Sequence, residues 1–155
     1  HVDASTAAKA MGTAPAAHWT TVTGPGHWLW PAPPGAHFLL WQLQGETLWL
    51  RPAHCWGLDA ALVCDDSMTL HAALAEEVLG LQGTGLCVLQ LPGPVHGSEV
   101  TEAYPLELDA RLWVAWQGTV RWEPVSPAPT PRIQARGQGR VWWLGSLHSR
   151  LVSAR

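Results

Sequence analysis

A Gly-x-Gly frame followed directly by a short apolar run occurs three times in this chain. Gly24-Pro25-Gly26 leads into HWLW, Gly83-Thr84-Gly85 into LCVLQL, and Gly137-Gln138-Gly139 into RVWWL. Pro/Gly breaks follow the first two, PAPPG at 31–35 and PGP at 92–94. With 15 Gly and 13 Pro in 155 residues, short elements are favoured over long helices. A phosphate-binding glycine loop needs a helix N-terminus to supply its amides, whereas strands follow each of these frames. Gly24, Gly26, Gly83, Gly85, Gly137 and Gly139 are therefore read as structural turns, where glycine reaches positive φ without a Cβ penalty.

The runs between these punctuation marks are strand-like. Residues 36–44 are apolar on both faces, which predicts a strand covered on both sides. Residues 104–109 alternate Tyr104, Leu106 and Leu108 against Glu107 and Asp109. Two hairpins are expected, one turning at Asp59-Ala60 and one at Gln117-Gly118, 58 residues later. The first would set Cys55 opposite Cys64, the second Trp113 opposite Trp122. Asp65-Asp66-Ser67 can cap a helix, and Leu70, Leu74 and Val78 are spaced by four. At most one short helix is expected, near 68–76. The predicted organisation is all-β: a repeat-built β-sandwich or short double-stranded β-helix. A tail at 1–17, with Met11 a candidate start, precedes one domain at 18–145. Two similar halves, about 18–65 and 77–123, are completed by a closing strand pair at 132–144, and 146–155 is a second tail.

Composition narrows the function classes. A net charge of −3 with a single Lys argues against a generic phosphate-backbone binder, so nucleic acid is an unfavoured partner. The Arg132, Arg136 and Arg140 group by the last glycine frame is the best basic feature available. No apolar run is long enough to span a bilayer. Three Cys at spacings foreign to zinc motifs suggest a reduced, cytoplasmic setting and no disulfide framework. The eight His are scattered, and His37 lacks the second His of a cupin-type metal set. Ser98 and Ser146 lie outside any nucleophile-elbow context. No catalytic residue, metal ligand or cofactor is assigned. Eleven Trp against one Tyr and one Phe are read first as packing.

The GPGHWLWP unit, GETLWLRPAHCWGLDAALV, GTGLCVLQ, YPLELDARLWVAWQGTVRWE and GQGRVWWL together resemble the family of the altered inheritance of mitochondria protein 24, over residues 19–145. The resemblance implies a fold like that of the trp RNA-binding attenuation protein, built from internal repeats and often assembled into rings or trimers. Its mitochondrial members are linked to membrane organisation and respiratory-chain integrity.

Two functional expectations follow. The first is a non-enzymatic β-sandwich acting by self-assembly (a dimer, trimer or ring) or as a scaffold for an unknown protein partner. Trp28, Trp30, Trp41 and Trp49 are the candidate contact surface, since large aromatic patches mark interaction sites. The second is a small-molecule or carbohydrate binder using the same Trp surface. An RNA or single-stranded DNA binder and a cupin-like metal enzyme rank below both.

Overall fold

A computed structural model of the chain describes residues 8–11, 19–22, 34–71, 74, 76–126 and 131–145. These form an all-β, wholly antiparallel sandwich. The strands are β1 (Ala8–Met11), β2 (Trp19–Val22), β3 (His37–Gln44), β4 (Leu48–Leu50), β5 (Cys55–Asp59) and β6 (Val63–His71). They continue with β7 (Glu76–Gln82), β8 (Thr84–Leu91), β9 (Val95–Val100), β10 (Leu106–Asp109), β11 (Trp113–Ser126) and β12 (Arg132–Leu144). One sheet has the order β2-β1-β5-β8-β3, the other β10-β12-β11-β4-β7-β6, with β9 also paired to β12.

Several expectations are corrected. Residues 8–11, read as tail, form a strand between β2 and β5. The helix expected near 68–76 is not formed over 68–71, where β6 runs to His71 with Thr69 opposite Val78 and His71 opposite Glu76. Ladder hydrogen bonds outweigh the four-residue spacing, and Leu74 and Val78 still reach the core. Neither expected hairpin exists. Asp59-Ala60 is a corner between sheets: β5 pairs with β1 and β8, β6 with β7. There Leu62 N–H donates to the Asp59 carbonyl (3.1 Å) and Ala61 N–H to Asp59 Oδ1 (3.0 Å). The same turn recurs at Asp109, between β10 and β11, two strands that both pair with β12, with Leu112 N–H to the carbonyl (2.9 Å) and Arg111 N–H to Oδ1 (2.9 Å). The repeated LDA-x-L string is thus a repeated turn.

Gln117-Gly118 lies in the middle of β11, and Gly137-Gln138-Gly139 in the middle of β12, so the closing strand pair is one continuous strand. The two strands pair along their length, Gly118 opposite Gly139 and Val120 opposite Gly137. At Gly118 (φ 86°) and Gly137 (φ 118°) the ladder adopts a backbone that L side chains avoid. A Cβ on Gly137 would collide with the Thr119 carbonyl oxygen, and one on Gly118 with that of Gln138. Gly118, Val120 and Trp122 lie on the face that carries Trp116, so bending there closes that face on itself.

The recurrence in the structure is therefore a bent ladder. In the earlier copy β3 pairs with β8 in one sheet and β4 with β7 in the other. Gly45 (φ 104°) and Gly83 (φ 118°) stand at the crossing, joined by Gly45 N–H to the Gly83 carbonyl at 3.0 Å. Gln44-Gly45 thus corresponds to Gln117-Gly118, and the alignment onto Asp59-Ala60 is superseded.

Bending creates two cores with a shared middle layer. Leu48 and Leu50 of β4, Leu79 and Leu81 of β7, and Val114 and Ala115 of β11 face the first core with Leu43, Leu58, Cys87 and Leu89. Trp49, Val78, Trp113 and Trp116 from the same strands face the second, with Trp122, Ile133 and Ala135 from the far half of the bent hairpin. A register shift between Trp113 and Ala115 sets Trp113 and Trp116 on one side.

Candidate interaction surface

The first core lies beneath β3 and β8, and Leu43, Cys87, Leu89 and Leu91 are buried there. The alternate residues of the same strands form the outer face: Phe38, Leu40 and Gln42 on β3 lie opposite Gln90, Val88 and Leu86 on β8. Leu40 is 65% exposed and Phe38 37% exposed, and Phe38 meets the Trp56 ring edge-on at 5.4 Å. Neither strand contains Asp, Glu, Lys or Arg. The result is a neutral, apolar outer face beside the sheet edge that β3 forms among the described residues. The expected cover on both sides of 36–44 is thus corrected: one face is core and the other is exposed. Gln42 and Gln44, in phase with Phe38 and Leu40, were the sequence signal for a solvent face.

Charged groups lie elsewhere and are paired. Among the described residues each Arg has a carboxylate oxygen between 2.5 and 3.7 Å away. Arg132, Arg136 and Arg140 face Glu107, Glu123 and Glu99, so they do not make a free basic stripe. Arg51 is the least exposed of them, half-buried. Its Nη1 and Nη2 donate to the carbonyls of Arg111 (2.8 Å) and Ala110 (3.0 Å), and its guanidinium lies 4.7 Å from the Trp113 ring centroid. Nε approaches Glu76 Oε2 at 2.6 Å without hydrogen-bond alignment. Burial lowers the Arg51 pKa, with Glu76 acting in the opposite sense. His54, on the 3-10 turn Pro52–His54, is pushed down to about 4 by burial and then by the Arg51 charge, against the Gln90 carbonyl.

The Trp residues singled out by sequence do not form one surface. Trp28 and Trp30 lie outside the described residues, as do Gly24 and Gly26. Trp41 is half-buried against the first core, its ring 4.2 Å from that of Trp142. Trp49 packs on the second core and stacks with Trp116 at 6.1 Å. Gly80 makes room for it, since a Cβ there would come within 2.8 Å of the Trp49 ring. Trp113 and Trp122 do meet, at 6.4 Å, but across the bend: their strand partners are Trp143 and Ala135. The indole N–H groups of both are buried without an acceptor.

Cys55, Cys64 and Cys87 form no disulfide and lie around the first core. The Cys55 thiol is held well above its ordinary value, first by its hydrogen bond with Cys87 and then by burial. Among the described residues no group of three or more His, Cys, Asp or Glu is placed to hold a metal ion. Among them too, no helix is long and apolar enough to cross a membrane.

No family model matches the sequence, and no curated protein matches it. A solved structure is similar: protein SPYM3_0169 from Streptococcus pyogenes, at 13% identity and a TM-score of 0.58. The match covers 71% of this chain and 54% of that one, so the chain spans about half the length of the neighbour. At that identity the likeness concerns the fold, an all-β sandwich.

Proposed function

We propose that this chain is a non-enzymatic β-sandwich that works by self-assembly, presenting its sheets as a scaffold. The neutral outer face of β3 and β8, with Leu40 65% exposed, carries this reading. Apolar surface of this kind, free of charge and beside a sheet edge, marks contact sites rather than solvated ones. The resemblance to the altered inheritance of mitochondria protein 24 family, with its trp RNA-binding attenuation protein-like fold, belongs to the same proposal. So does a cytoplasmic setting, which suits three cysteines outside any disulfide. Multi-angle light scattering across a wide concentration range tests it: a defined oligomer is expected, and a monomer throughout would refute it.

The second reading is a small-molecule or carbohydrate binder. The partly exposed pair Trp41 and Trp142, with rings 4.2 Å apart, favours it, because aromatic faces open to solvent can stack on a sugar ring. Tryptophan fluorescence titrated with mono- and disaccharides tests it, and saturable quenching is the expected signal.

A further inference from the structure

Deepening the self-assembly reading, on which it rests, we propose that the occupant of the β3 edge is a second copy of this chain, added strand to strand in antiparallel register about Leu40. The backbone supplies the donors and acceptors. Gln44 N–H donates to the carboxylate of Glu46 (2.9 Å), so at that position the main chain turns away from β8. The β3–β8 register is unshifted from His37 to Gln44. Alternation in an antiparallel ladder then turns the N–H and C=O groups of Phe38, Leu40 and Gln42 outward too. A two-fold axis beside Leu40 sets Leu40 next to its own image and Phe38 next to Gln42 of the second copy. All of these are residues of the outward set, so the pairing closes about six hydrogen bonds.

Charge selects the same partner. A two-fold pairing repeats every charge close to its own kind, so a charged edge repels its copy. Strand β3 carries no Asp, Glu, Lys or Arg and no Pro, the devices that normally blunt an edge. The other described edges are blunted: β2 has four residues, β10 has four with Glu107 and Asp109 among them, and β9 carries Glu99. Strand β6 carries Asp65 and Asp66. Leu40, which meets little of its own chain, gains an apolar neighbour in this arrangement.

The test compares three proteins by light scattering and sedimentation: the wild type, Leu40→Lys and Tyr104→Lys. Tyr104 is 78% exposed in the loop before β10, so it controls for added charge on an exposed aromatic. An oligomeric wild type, an unchanged Tyr104→Lys and a dissociation constant raised at least about tenfold in Leu40→Lys support the proposal. Should Leu40→Lys fail to fold, Gln42→Lys probes the same edge and is expected to behave alike. An oligomer indifferent to both edge variants overturns the placement on β3 while leaving self-assembly standing. A monomeric wild type overturns both.

Discussion

At the scale of single residues, two sites test the physical account most directly. Gly35 and Gly137 both have positive φ, 77° and 118°, but a Cβ on Gly35 meets nothing within 4 Å, whereas one on Gly137 collides with the Thr119 carbonyl. Both alanine variants remove similar freedom from the unfolded chain, so the difference between them reports the collision together with the less accessible φ of Gly137. Gly35→Ala is expected to cost about 1 kcal/mol and Gly137→Ala more than about 3 kcal/mol, read as urea midpoints. His54 gives the pH arm. Its folded pKa is near 4, against about 6.5 when exposed in the unfolded chain. As pH falls below about 6.5 the unfolded state takes up a proton that the folded state refuses, so stability falls until about pH 4 and then levels. The loss over that window is on the order of 3 kcal/mol. A His54→Leu variant is expected to flatten this part of the stability–pH curve; an unchanged slope would remove His54 from the account.

At the scale of elements, Arg51 ties three of them together. It follows β4, its main-chain N–H donates to Val114 of β11 (2.9 Å), and its side chain reaches the Asp109 corner and Glu76 at the start of β7. Arg51→Met keeps the stem but leaves two corner carbonyls without their donors. A loss of about 2 kcal/mol is expected, modest because the Glu76 side chain is 41% exposed and can rehydrate. Chemical denaturation of Arg51→Met, Glu76→Gln and the double variant would show coupling between them, and strict additivity would mean that the carbonyl contacts dominate.

Elements are also where the sequence was most and least legible. Strand existence was readable from apolar runs: 36–44 and 86–91 correspond to β3 and β8. The LDA turn at Asp59 was visible as a turn but not as a change of sheet, because local turn chemistry is the same whether the next strand pairs with the last or leaves it. Gln117-Gly118 read as a hairpin for the same reason. Only the long-range partner, Gly118 facing Gly139, distinguishes a loop from a bend in a continuous ladder. The outer face of β3 was missed because apolar residues on both faces imply cover on both, and cover is a property of neighbours.

For the whole molecule, the shared middle layer decides how it unfolds. Strands β4, β7 and the first part of β11 present one face to each core, so neither core has a complete wall without the other. A sandwich of independent halves would melt in two steps. Here the loss of β4 would expose Leu48 and Leu50 from the first core and unstack Trp49 from Trp116 in the second. In a Trp41→Phe background, which removes the Trp41–Trp142 ring pair on the first core, the ring contacts among Trp113, Trp116 and Trp122, at 5.5 to 6.4 Å, make near-ultraviolet dichroism a reporter of the second core. The thiols of Cys55 and Cys87, buried in the first, report that core by their rate of labelling. Coincident midpoints in urea for dichroism and thiol labelling are expected. Leu50→Ala, cut at the middle layer, is expected to lower both midpoints together by the equivalent of about 2–5 kcal/mol. A variant that shifts thiol labelling while leaving the Trp signal in place would show that the cores are separable and that β4 does not couple them.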